Sequence, residues 1–89
     1  MPKIAFTTHL EKFVTCPPTE VQARTVREAL DSVFAENPLL RGYVVDDQGA
    51  LRKHMAVFVD GRPVEDRTGL SDLVEDEAEI YVLQALSGG

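Results

Sequence analysis

The segment from Thr25 to Pro38 constrains the fold of this chain more than any other. Thr25-Val26-Arg27-Glu28 is a capping box, in which the Thr hydroxyl accepts from the Glu28 backbone N–H while the Glu28 carboxylate reaches back. Val26, Ala29, Leu30, Val33 and Phe34 then recur at helical spacing and make one apolar stripe. Asn37-Pro38 stops the element, because a residue before proline avoids the α region. The spacing therefore predicts a helix over Val26–Glu36, the one long helix of the chain. Its stripe must be covered, and the remaining segments read as strands, so a sheet supplies the second layer.

Ile4, Phe6 and Thr8 alternate with Ala5, Thr7 and His9, which predicts a strand over Lys3–Thr8. A connection from His9 to Pro18 ends in Cys16-Pro17-Pro18, and Thr19–Arg24 reads as a short second strand. After the helix, Leu39 and Leu40 are expected to plug the core. Gly42–Val45 is expected to be extended, Asp46-Asp47-Gln48-Gly49 to turn, and Leu51–His54 to return. Met55–Val59 is the most β-prone run, and Asp60-Gly61 supplies the positive φ angles of a two-residue hairpin turn. Arg62–Val64 is the return strand, and Pro63 confines it to an edge. A last strand, Ile80–Leu86, places Ile80, Val82 and Gln84 on one face and Tyr81, Leu83 and Ala85 on the other, with apolar character on both. That suits a central strand beside the first one. The expected class is α+β, a mixed sheet rolled on one main helix in the order β-β-α-β-β-β.

A chain of 89 residues holds one small domain, here residues 1–86, followed by a flexible tail over residues 87–89. Apolar residues make up 44% of it, enough for a thin core. The formal net charge is −6, and the excess is local: residues 1–64 carry eight acids and eight bases. Glu65, Asp66, Asp72, Glu75, Asp76, Glu77 and Glu79 face only Arg67. No Lys/Arg cluster is present, so nucleic acid is excluded as a partner on this reading. The acidic stretch is either a solvated loop or a face that attracts a basic partner. Cys16 is the only cysteine, so no internal disulfide forms and a cytoplasmic setting is expected. No signal-peptide pattern follows Met1-Pro2-Lys3 and no apolar run reaches bilayer length, so no membrane association is expected.

Chemistry-bearing motifs are few. The sequence has no Gly-rich phosphate loop, no Cys/His metal spacing and no nucleophile with a base signature. Cys16 reads as a plain thiol, His54 as a polar sheet-face residue, and the acidic stretch lacks the pattern of a calcium loop. The chain ends in Ser87-Gly88-Gly89, directly after the last strand. Without Cβ atoms, such an end can thread a narrow channel and bring its carboxylate close to a nucleotide phosphate. The carboxylate is unreactive until another protein activates it, for example as an acyl-adenylate.

Thr25-Val26-Arg27-Glu28-Ala29-Leu30, Leu51-Arg52-Lys53-His54, Val57-Phe58-Val59-Asp60-Gly61, Ile80-Tyr81-Val82-Leu83 and the terminal Gly88-Gly89 together resemble the ThiS/MoaD-type sulfur carriers, which are ubiquitin-like β-grasp proteins. The resemblance covers nearly the whole chain in order and spacing. It implies a carrier of a reagent rather than an enzyme, with Gly89 as the adenylation and thiocarboxylate position and Gly88 and Ser87 as its tail. It also implies a ubiquitin-activating-type adenylyltransferase that uses ATP, a sulfur donor, and a downstream sulfur-accepting biosynthetic enzyme, with no cofactor held stably by the chain itself. Members commonly show a Pro-rich approach to the tail and an Asp-Gly-Asp turn before the last strand. Here those places hold Gln84-Ala85-Leu86-Ser87 and Val74–Glu79. Thiamine, molybdopterin and cysteine pathways all remain open as destinations. Two other functions remain beside it: a ubiquitin-like modifier joined to lysines through Gly89, and a non-covalent β-grasp interaction module. For docking, Tyr81, Leu83 and Leu86 are candidate apolar anchors, and Glu75, Asp76, Glu77 and Glu79 candidate sources of long-range attraction. Burial of Leu83 under the helix is the competing placement.

Overall fold

In the computed structural model, residues 1–6 and 19–84 are described. Their strands are β1 (Lys3–Phe6), β2 (Thr19–Glu20), β3 (Met55–Val59), β4 (Arg62–Pro63) and β5 (Glu79–Gln84). Two helices lie between β2 and β3: α1 (Val26–Glu36) and α2 (Pro38–Val44). The sheet order is β2-β1-β5-β3-β4. β5 runs parallel to β1 and antiparallel to β3, so the last strand is central and lies beside the first, as its two-sided apolar pattern requires. This is the α+β, β-grasp arrangement that the sequence led us to expect.

The capping box forms. Thr25 Oγ1 accepts from the Glu28 N–H at 3.2 Å, while the Glu28 carboxylate reaches back to accept from the Arg24 N–H at 2.7 Å, one residue before the N-cap. The N–H groups of Val26 and Arg27 donate to the carbonyls of Asp72 and Leu70, at 3.0 and 2.9 Å. The segment after β4 thus satisfies donors that a helix start otherwise leaves open. Val26, Ala29, Leu30, Val33 and Phe34 are all buried, in one cluster with Ile4, Phe6, Met55, Val57, Ile80 and Val82 from the sheet.

Three expectations need correction. The first concerns Gly42–Val45, expected to be extended: residues up to Val44 belong to α2. Pro38 stops α1 but also sits at the first position of α2, where its fixed φ suits a helix and its missing N–H costs nothing. Leu40 and Val44, four apart, are both fully buried, and the β-branched Val44-Val45 pair disguised that spacing. Second, only Leu40 plugs the core; Leu39 turns outward on the same helix and is 76% exposed. Third, His54 is exposed in the turn before β3, not on a sheet face, because the return of the chain is confined to a single Val45–Leu51 bridge.

The remaining elements differ at their ends. β2 pairs through Thr19 and Glu20 only, after which Arg24 and Thr25 change partner: the Val74 N–H donates to the Arg24 carbonyl, and Thr25 bridges Leu73. β4 holds Arg62 and Pro63 at the sheet edge. Asp60 and Gly61 take the positive φ angles expected of the hairpin turn. Thr7, Thr8, Cys16, Ala85 and Leu86 lie outside the described residues.

Candidate functional site

β5 leads toward Gly89, and the ladder fixes its position from both sides. Lys3↔Glu79 to Phe6↔Val82 join it to β1, and Val59↔Ile80 to Met55↔Gln84 join it to β3. Ile80 and Val82 are buried on the helix side. The period of two then puts Tyr81 and Leu83 on the opposite, open face. Tyr81 is 49% exposed and Leu83 is half-buried, which decides the placement of Leu83 in favour of the open face.

The register across the sheet reveals what surrounds them. Ala5, Tyr81, Phe58 and Pro63 are successive partners on four neighbouring strands, and Ala56 lies opposite Leu83. The open face therefore carries an apolar row with the Tyr81–Phe58 pair at its middle. Phe58 was not singled out from the sequence. The alternation of Met55-Ala56-Val57-Phe58-Val59 is apolar on both faces, so only cross-strand register joins Phe58 to Tyr81.

The acidic stretch divides into builders and exposed charges. Asp72 accepts from the backbone N–H groups of Glu65 and Asp66, both at 2.9 Å. Asp66 accepts from the Ser71 hydroxyl at 2.6 Å and from the Gly69 and Ser71 N–H groups. The Ser71 hydroxyl first, and those N–H groups with it, hold the Asp66 carboxyl down at about 2. Leu70, buried and at φ 54°, is set within this loop, its N–H donating to the Asp66 carbonyl. These two aspartates thus build the loop rather than solvate it. Glu75, Asp76, Glu77 and Glu79 are exposed but have different surroundings. Glu75 borders β4, Asp76 lies by Arg24 and Glu28, and Glu77 and Glu79 lie by Lys3 and Glu20.

Arg27 closes the opposite side of the loop. Its guanidinium donates to the carbonyls of Gly69 (2.8 Å), Gly49 (2.7 Å) and Thr68 (3.3 Å). Arg67 similarly donates to the carbonyls of Arg52 and Met55. Neither role is legible in the sequence, because the acceptors are main-chain carbonyls far along the chain. Among the described residues, no three His, Cys, Asp or Glu side chains group to hold a metal ion, and no helix is long and apolar enough to cross a membrane. Leu86, Ser87, Gly88 and Gly89 lie outside the described residues.

No curated protein sequence matches this chain. Among solved structures, a chain of the Amycolatopsis orientalis BexX/CysO complex is 23% identical with a TM-score of 0.84, covering 100% of each chain. The small archaeal modifier protein 1 from Methanosarcina acetivorans is 22% identical with a TM-score of 0.82, covering 99% of this chain and 95% of that one. CysO from Mycobacterium tuberculosis is 16% identical with a TM-score of 0.81, covering 97% of this chain and 100% of that one. These likenesses carry the fold, a ubiquitin-like β-grasp. The sequence itself matches the ThiS family over residues 11–89, from within the β1–β2 connection to the final glycine. The chain belongs to the ThiS family.

Proposed function

We propose that this protein is a ubiquitin-like sulfur carrier whose reactive group is the carboxylate of Gly89. An activating enzyme uses ATP to join that carboxylate to the α-phosphate, releasing pyrophosphate. A sulfide-level donor then displaces AMP and leaves a thiocarboxylate, which a biosynthetic acceptor enzyme consumes. The observation that carries this reading is the family match, which extends through Ser87-Gly88-Gly89.

On this reading, the folded body binds and aims. β5 is held between β1 and β3 up to Val82 and by β3 on to Gln84, so the segment beyond it starts from a fixed point. The row through Tyr81 and Phe58, with Leu83, gives the activating enzyme an apolar surface beside that point. Glu75, Glu77 and Glu79 add long-range attraction that raises the association rate. Glycines at the last two positions let the tail enter a nucleotide site without side-chain clashes.

A second reading is favoured by one structural neighbour, a protein described as a small archaeal modifier. In it the same acyl-adenylate at Gly89 is captured by a lysine of another protein. Both readings require the terminal glycines, whereas a non-covalent module does not. ATP–pyrophosphate exchange with the cognate activating enzyme, using a variant lacking Gly88 and Gly89, is expected to fall to background while the fold persists. Undiminished exchange would sink the carrier and the modifier readings together. Intact mass after the full reaction then divides those two, since sulfur replacing oxygen is a small increment and conjugation gives larger species.

A further inference from the structure

Leu73 is 81% exposed, the most exposed large apolar side chain among the described residues, yet its backbone is fixed. It bridges Thr25, and the residues on either side bond to the same segment: the Asp72 carbonyl accepts from Val26 at 3.0 Å, and the Val74 N–H donates to Arg24 at 2.8 Å. Val74 turns inward and is buried, so alternation holds Leu73 outward. Beside it lies an open cleft of about 470 Å³, with Val59 and Pro63 contributing its apolar lining. The far wall is pinned too, because the Glu65 N–H donates to the Asp72 carboxylate and the Val64 N–H to the Val57 carbonyl. Four acidic residues line the cleft, Asp60, Glu65, Asp72 and Glu75, against one basic residue, Arg62. Asp60 and Asp72 are engaged by backbone N–H groups, while Glu65 and Glu75 are exposed and no described residue pairs with their carboxylates.

We propose that this cleft docks a protein segment that presents an apolar side chain flanked by lysine or arginine. The apolar group covers Leu73 and Pro63, and the flanking cations meet Glu65 and Glu75. Charge complementarity selects that class of partner: the lining carries an excess of negative charge and would repel an acidic segment. Rigid walls reduce the ordering cost of binding, since both are already held by main-chain hydrogen bonds. The surface meets the open sheet face at Pro63, so one partner can span both. Its action requires no chemistry at Gly89.

The test is amide chemical-shift mapping of the full-length protein with a capped hexapeptide of alternating lysine and leucine, and a glutamate–leucine counterpart as the counter-probe. Binding of the basic peptide is expected to perturb residues 59–65 and 72–75, to weaken with added salt, and to be absent for the acidic peptide. Leu73→Ser and the pair Glu65→Gln with Glu75→Gln are each expected to raise Kd about tenfold, the loss of roughly one good anchor. Asp31→Asn with Glu36→Gln removes the same charge from α1 and is expected to leave Kd unchanged. Amide spectra of the variants report that each remains folded. Perturbations spread equally over α1, an equal effect of the α1 pair, unaltered affinity in Leu73→Ser, or no binding at all would each overturn the proposal.

Discussion

Replacing Arg27 by Met keeps the length of the side chain and its helix propensity but removes every donor of the guanidinium. In the parent that group makes two part-buried hydrogen bonds, to Gly69 and Gly49, and one exposed contact to Thr68. Charge-assisted bonds of this kind contribute about 1.5–3 kcal/mol each when desolvated. Arg27 is half-buried and water can reach part of the vacated space, so the expected loss is roughly 2–3 kcal/mol rather than twice the upper figure. A domain of this size unfolds with an m-value near 1 kcal/mol per molar urea, which makes the midpoint shift about 2–3 M. The contact to the turn is tested by adding Gly49→Ala. Gly49 sits at φ +84°, and a Cβ there would meet Arg27 Nη1 at 2.8 Å. With Arg27 in place, the Gly49→Ala substitution carries both the left-handed backbone cost of about 1–2 kcal/mol and displacement of the guanidinium. In the Arg27→Met background only the backbone cost should remain, giving a coupling of roughly 1 kcal/mol or more. Urea titrations of the four proteins of this cycle measure it. Additive losses would show that Arg27 does not hold the Gly49 turn.

Leu30→Ala opens a cavity at the helix–sheet interface and is expected to cost about 2–4 kcal/mol, with Val57→Ala somewhat less. Leu39→Ala, on the outward side of α2, should stay within about 0.5 kcal/mol of the parent in the same urea titration. Asp66 has a lowered folded pKa, about 2 against an ordinary 3.8, so its contribution to stability is complete above the ordinary value and is lost as pH falls toward 2. Thermal melts of parent and Asp66→Asn are therefore expected to differ near neutral pH and to converge across that acid window; a constant difference would show that the carboxylate is not the group responsible. For docking, Glu75→Gln, Glu77→Gln and Glu79→Gln combined should slow association with the activating enzyme at low salt and leave the chemical step unchanged. Stopped-flow rates equal to the parent at both low and high salt would reduce those glutamates to solvated surface.

Sequence alone determined the elements whose signals are local. The capping box, the five-residue stripe and Asn37-Pro38 define α1 at Val26–Glu36 because caps, helical period and proline act within a few residues of themselves. Asp60-Gly61 determined the hairpin turn for the same reason, and apolar residues on both faces of Ile80–Leu83 required a central strand. Local signals misled where two demands shared one segment. Pro38 ends one helix and begins the next, and Val44-Val45 reads as β while Val44 belongs to a helical pair with Leu40.

Tertiary structure decided everything that joins residues distant along the chain. Phe58 meets Tyr81 through β3–β5 register, and Leu73 is held outward by a bridge to Thr25. Asp66 and Asp72 look like two more solvated acids in a charged run, yet they accept backbone N–H groups that the loop would otherwise leave unpaired. Arg27 was legible only as part of a capping box, although its guanidinium ties the Gly49 turn to the Gly69 loop. The physical reason is common to all of them. A side chain that bonds to main-chain carbonyls or N–H groups selects its partners by where the backbone passes, and any residue type can supply them, so the partner leaves no mark in the sequence.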